Sequence, residues 1–139
     1  MKPPFEILDH PSDLGIEARG ETVEMVFRNA ALGLMSVITE PSTVQPVDRR
    51  SIDIRARDRE NLLVRWLTEI LFLYDAERFL MADATVDLIQ ETTLKATILG
   101  QKYSPSIHEL KLDVKAITYH QLTVEKIDDL WIARVFVDI

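Results

Sequence analysis

Apolar positions along this chain follow two rhythms, a period of two and a period of three to four, in a definite order. Phe5 to Leu8 and Leu14 to Arg19 read as short strands around the loop Asp9-His10-Pro11-Ser12-Asp13. Pro11 cannot donate to a ladder, and Asp and Ser favour turns. Helical spacing then takes over: Val23, Val26, Phe27, Ala30, Ala31, Leu34 and Ile38 share one stripe, with Thr22 as N-cap and Glu24 in the first turn. Pro41 stops this helix, and residues 41–46 form a loop. Ser51 to Ala56 alternates, with Ile52, Ile54 and Ala56 on one face of a half-buried strand. Asp58 caps a second helix whose inner stripe is Leu63, Trp66, Leu67, Ile70, Leu71 and Tyr74. Leu62, Val64, Phe72 and Leu73 make its other side apolar as well, which predicts either a helix sandwiched in the core or half of an interface.

From Phe79 onward the rhythm is that of strands, at about 79–90, 93–103, 110–119, 122–126 and 130–138. Asp128-Asp129 tolerate the geometry of a tight hairpin between Lys126 and Leu130. Helices early and strands late predict an α+β fold, with two helices packed on a mainly antiparallel β-sheet and a β-rich C-terminal half. The 139 residues, 47% of them hydrophobic, suit a single domain spanning 1–139 with one core. Repeats and long linkers are absent.

Composition narrows the function classes. With no cysteine, disulfides, thiolate metal sites and cysteine nucleophiles are excluded. The longest greasy stretch, Leu62 to Tyr74, is interrupted by Arg65 and Glu69 and is too short to span a bilayer. The N-terminal residues lack the pattern of a signal peptide. A soluble, cytoplasmic protein with no membrane partner is the expectation. The net charge of −7 argues against stable direct binding of nucleic acid, and points to a protein partner. The basic clusters are Arg49-Arg50 and Arg55-Ala56-Arg57, read as solvated strand faces.

The chain has no Gly-x-Ser-x-Gly elbow and, with four glycines, no phosphate-cradling loop. His10, His108 and His120 lack the spacing of a preformed zinc site, and each reads first as a hydrogen-bonded structural histidine. Carboxylates offer more. Asp9 and Asp13 flank the tight loop, while Val135-Phe136-Val137-Asp138-Ile139 places the side chain of Asp138 beside the carboxylate of Ile139. Were this strand to lie near the Asp9 to Asp13 loop, three carboxylates would converge, and oxygen-only ligands suit Ca²⁺, Mg²⁺ or Mn²⁺. Against it stands a solvated edge strand. Lys115 shares a strand face with Asp113 and Ile117, which suggests a cross-strand ion pair or a lysine aimed at a carboxylate cluster or phosphate.

These same residues carry a family resemblance. Asp9-His10-Pro11-Ser12-Asp13-Leu14-Gly15-Ile16 resembles the opening motif of the archease family, usually Glu-His-Thr-Ala-Asp-Val-Gly. Asn29-Ala30-Ala31, Leu62-Leu63-Val64-Arg65-Trp66-Leu67, Gly100, His108 and Val114 to His120 fit in order. Val137-Asp138-Ile139 resembles the family's Phe-Asp-Ile end. Asp9 stands for the common Glu, Pro11-Ser12 for Thr-Ala, and Gln101 occupies a position where an acid is frequent.

The resemblance implies an accessory activator of an RtcB-type RNA ligase in tRNA splicing and RNA repair. Such a helper promotes guanylylation of the ligase with GTP and allows multiple turnover, without being an enzyme itself. It implies a divalent-metal site at Asp13, Asp138 and Ile139, with Ca²⁺ expected in the isolated protein and Mg²⁺ or Mn²⁺ also admitted. Lys115 would act in activating the partner, and Asp9, His10 and His120 would stand behind the ligands. The residues leave two rival classes open: a metal-dependent phosphoester hydrolase with His10 or His120 as base, and a chaperone-like binding module using the apolar second helix.

Overall fold

A computed structural model describes residues 2–9 and 12–139 of the chain. The chain runs through strands β1 (Phe5–Asp9) and β2 (Asp13–Gly20), helix α1 (Val23–Ile38), β3 (Asp48–Arg55), helix α2 (Arg59–Glu77), then β4 (Phe79–Ile89), β5 (Thr93–Lys102), β6 (Ala116–Ile117), β7 (Thr123–Ile127) and β8 (Leu130–Asp138). A single 3₁₀ turn, Pro41–Thr43, follows α1. The α+β expectation holds, but the strands divide between two sheets. β1, β2 and β8 form one in that order, with β6 and β7 both pairing with β8; β3, β5 and β4 form the other. Every pairing is antiparallel.

Both helices start where their capping residues dictate. The Thr22 hydroxyl accepts the Met25 amide at 3.1 Å, and the Asp58 carboxylate accepts that of Asn61 at 2.8 Å. Each satisfies a donor that the first helical turn leaves orphaned. α2 ends on Arg78 at φ 56°, a left-handed residue that turns the chain directly into β4. The doubly apolar α2 is sandwiched: Leu62, Leu63, Val64, Leu67 and Leu73 are all buried, while Phe72 remains 57% exposed. Trp66, fully buried, donates its indole N–H to the Phe27 carbonyl at 2.9 Å and so ties α2 to α1. Both helices touch both sheets, and one apolar cluster fills the space among them. Among the described residues no helix is long and apolar enough to cross a membrane.

One predicted strand fails. Of residues 110–119 only Ala116 and Ile117 pair with β8, and Leu110 makes an isolated bridge to Thr39. The reason lies at the end of α1, whose last carbonyls have no helical partner. The Lys111 amide donates to the Ile38 carbonyl at 2.8 Å, and Leu112 to Val37 at 3.2 Å. These amides cap a helix instead of joining a ladder.

Candidate functional site

β2 begins at Asp13 and β8 ends at Asp138, and the antiparallel register sets these residues directly opposite each other. Side chains alternate along both strands. Leu14, Ile16 and Ala18 meet Val137, Val135 and Ala133 on the core face, all buried. Asp13, Gly15 and Glu17 meet Asp138, Phe136 and Arg134 on the outer face. The loop end of β2 and the final residues of β8 thus meet at one corner of the sheet. Asp13 is nearly buried and Asp138 is exposed, so the pair reaches from the sheet surface toward solvent.

β6 completes the corner from the other side. Ala116 is the second partner of Asp138, and the Lys115 amide donates to the Asp138 carbonyl at 2.9 Å. Lys115 is exposed and, with Phe72 and Asp75 of α2, lines a groove of about 250 Å³. No strand carries Asp113 beside it, and among the described residues Lys115 makes no ion pair. Ile139 follows immediately and is 38% exposed.

The remaining candidates separate. Asp9 pairs with Leu14, which puts its side chain on the face opposite to Asp13 and Asp138. His120 lies on the carboxylate face, its ring edge-on to Phe136 at 5.6 Å, one pair down from Asp138. His10 lies outside the described residues. Among the described residues no group of three or more His, Asp or Glu side chains forms a metal cluster. The corner therefore offers two side-chain carboxylates, to which Ile139 would add main-chain oxygen.

Phe136 was overlooked in the sequence, although alternation marks it: it falls in phase with Arg134 and Asp138, yet it is buried. It lies across Gly15, where an added Cβ would sit 2.9 Å from the Phe136 ring. The ring lies on the same face as the two carboxylates, one alternation away along β8. His108, by contrast, is structural. It is buried, its Nδ1 accepts the Ser104 amide at 3.0 Å, and its Nε2 lies 2.9 Å from the Gln101 amide oxygen.

The donor set fits a hard cation. Carboxylate oxygens directly opposite each other repel, and a divalent ion between them reverses the sign of that interaction. Oxygen-only ligands select Ca²⁺, Mg²⁺ or Mn²⁺ over softer metals.

Comparison with known proteins places the chain in a family. Residues 5–139 match the model of the archease protein family. Protein archease of Methanosarcina mazei is 39% identical over 139 residues, spanning 97% of this chain and 95% of its own. Protein archease of a Saccharolobus islandicus strain is 40% identical over 136 residues, with 97% and 98% covered. The solution structure of Methanobacterium thermoautotrophicum protein 1598 superposes with a TM-score of 0.81 at 34% identity, covering 98% of this chain and 99% of that one. A Thermotoga maritima crystal structure, described as an archease and possible chaperone, shares the fold with a TM-score of 0.61 at 16% identity, over 100% and 98% of the two chains. The chain that brings Asp13, Asp138 and Lys115 to one corner of its larger sheet belongs to the archease family.

Proposed function

We propose that this protein is an accessory activator of an RtcB-type RNA ligase in tRNA splicing and RNA repair, working in the cytoplasm. In this reading it promotes guanylylation of the ligase with GTP and multiple turnover, and performs no catalysis of its own. The observation that supports it best is the placement of Asp13 directly across from Asp138, with the Lys115 amide on the Asp138 carbonyl. The partner class is what the motif resemblance around Asp13, Lys115 and Asp138 implies, and membership of the archease family is consistent with it.

Asp13, Asp138 and a main-chain oxygen of Ile139 would hold a divalent cation at the exposed rim of the sheet. Such an ion supplies a concentrated positive charge able to neutralise phosphate oxygens. The chain's own part is positional. β2 and β8 hold the two carboxylates in register, and Lys115 adds a second cation on the neighbouring segment. The net charge of −7 favours encounter with a basic pocket on the ligase.

The test is guanylylation of the ligase with GTP and Mn²⁺, with and without this protein. Stimulation is expected from the wild type, and its loss in Asp138→Ala and Asp13→Ala. Lys115→Ala, at an exposed position, should lower stimulation while leaving the thermal midpoint in place. A competent ligase that the wild type fails to stimulate would end the activator reading. Full stimulation by both aspartate variants would end its metal component.

A further inference from the structure

A second surface, separate from the carboxylate corner, pairs cations with aromatic rings. The Arg57 guanidinium lies over the Tyr119 ring at 5.7 Å, and that of Arg59 over Trp131 at 5.2 Å. Both arginines flank Asp58, the N-cap of α2, so the helix start sets one against the segment after β6 and the other against β8. Lys126 joins them as the β7 partner of Trp131. Tyr119 is fixed by its hydroxyl, which accepts the Asn61 side-chain amide at 2.8 Å, yet the residue stays 52% exposed.

The arginines are not consumed by carboxylates. Among the described residues Arg59 makes no ion pair, and its Nε is buried without a hydrogen-bond partner. Arg57 has only a long contact with Asp58 at 3.9 Å, and its side chain is 72% exposed. Beside the Tyr119 ring opens a groove of about 360 Å³, lined also by Arg65, Glu69, Val64 and Ile117. Glu69 lines the groove with Arg65, and Asp58 and Glu60 are chain neighbours of Arg57 and Arg59, as Glu125 is of Lys126.

We infer that this face, centred on Arg57, Arg59, Tyr119 and Trp131, is a contact for single-stranded nucleic acid. The exposed Arg57 and Arg65, with the half-buried Arg59, can neutralise phosphates, and the exposed Tyr119 ring can stack a base without regard to sequence. An acidic peptide would use the cations but would have no need of the exposed ring. The net charge of −7 keeps free binding weak, consistent with the expectation that no stable complex forms. Held on a partner that itself grips RNA, the same face acts at a high effective concentration. The inference is independent of the carboxylate site, and its test needs no ligase.

The test is anisotropy of a labelled oligouridylate of about 12 nucleotides, titrated with the full chain at about 50 mM salt. Trp131 is read in parallel, because Trp66 is fully buried and insensitive to surface ligands. Saturable binding with a change in Trp131 emission is expected. Arg57→Glu should weaken it about tenfold and lower the slope of log affinity against log salt by about one. Tyr119→Ala should weaken it about tenfold and leave that slope unchanged. A polyglutamate peptide of matched charge should bind at least tenfold less well. Absence of saturable binding at low salt overturns the inference, as does indifference to both substitutions. Equal binding of the peptide, unaffected by Tyr119→Ala, overturns it in favour of an acidic protein partner.

Discussion

Asp13 stands directly across from Asp138, the first residue of β2 against the last of β8, with both carboxylates on the outer face of the sheet. Like charges so placed destabilise a sheet, here by a few tenths of a kcal/mol because Asp138 is exposed. A bound divalent cation turns that cost into a gain. At an ion concentration near one hundred times its dissociation constant, the gain is about 2.7 kcal/mol. Thermal unfolding in EDTA should therefore find Asp138→Asn at least as stable as the wild type. Added Ca²⁺ should raise the wild-type midpoint by several degrees and leave the variant unmoved. An equal Ca²⁺ response in both proteins would remove the ion from this pair.

Two glycines are spaces that other parts of the chain occupy. A Cβ at Gly15 would lie 2.9 Å from the Phe136 ring and 3.1 Å from Leu8 Cβ. A Cβ at Gly100 would lie 1.9 Å from the Leu80 carbonyl oxygen, which is backbone of the paired strand. A ring can tilt, but a paired strand must separate. Gly15→Ala should cost about 1–3 kcal/mol by overpacking, and Gly100→Ala more, up to failure to fold. Urea unfolding decides between them: Gly100→Ala as stable as Gly15→Ala would contradict the ranking.

What was legible in the sequence was local chemistry. Thr22 and Asp58 cap their helices as read, and Asp128 and Asp129 both adopt positive φ, at 49° and 66°, in the hairpin between β7 and β8. What depended on distant partners was not legible. Asp48-Arg49-Arg50 do not alternate, yet they extend β3 because β5 runs alongside as far as Gly100. Residues 111–115 alternate, yet they leave the sheet because α1 offers orphan carbonyls. The Asp13–Asp138 pairing is a matter of register between strands more than a hundred residues apart, which no local pattern encodes. The division into two sheets was hidden for the same reason.

The Gln101 side-chain oxygen accepts from two directions, the Gln45 amide at 2.8 Å and His108 Nε2 at 2.9 Å. Since His108 Nδ1 accepts the Ser104 amide, the ring proton must sit on Nε2. Gln101→Leu would leave a buried imidazole N–H and a main-chain N–H without an acceptor, at about 1–3 kcal/mol. Glutamate keeps the acceptor and should hold stability close to wild type. Chemical denaturation of both variants, with nitrogen NMR to report the tautomer, checks the network. Equal losses for Leu and Glu would show that shape, not hydrogen bonding, matters here.

Arg28 grips Asp83 across the interface of α1 and β4, with Nε 2.7 Å from one carboxylate oxygen and Nη2 3.2 Å from the other. Asp83 follows an irregularity in β4, where the register against β5 slips between Met81 and Asp83. Burial works to raise its pKa, but the hydrogen bonds from Arg28 and from the Ala84 amide, with the Arg28 charge, hold it below the ordinary carboxylate value. A carboxyl whose pKa is lower folded than unfolded adds stability that is present above the unfolded value, near 4. That stability is lost as the pH falls through the depressed folded value. Because the two side chains are 43% and 44% exposed, solvent screening limits the effect to under about 1 kcal/mol. Asp83→Asn should thus be slightly less stable than wild type at pH 7, and the gap should close once the pH has fallen below the depressed folded value and shrink in high salt. A gap that stays constant down to that pH would mean that the carboxylate's charge contributes nothing and that shape alone sets the difference.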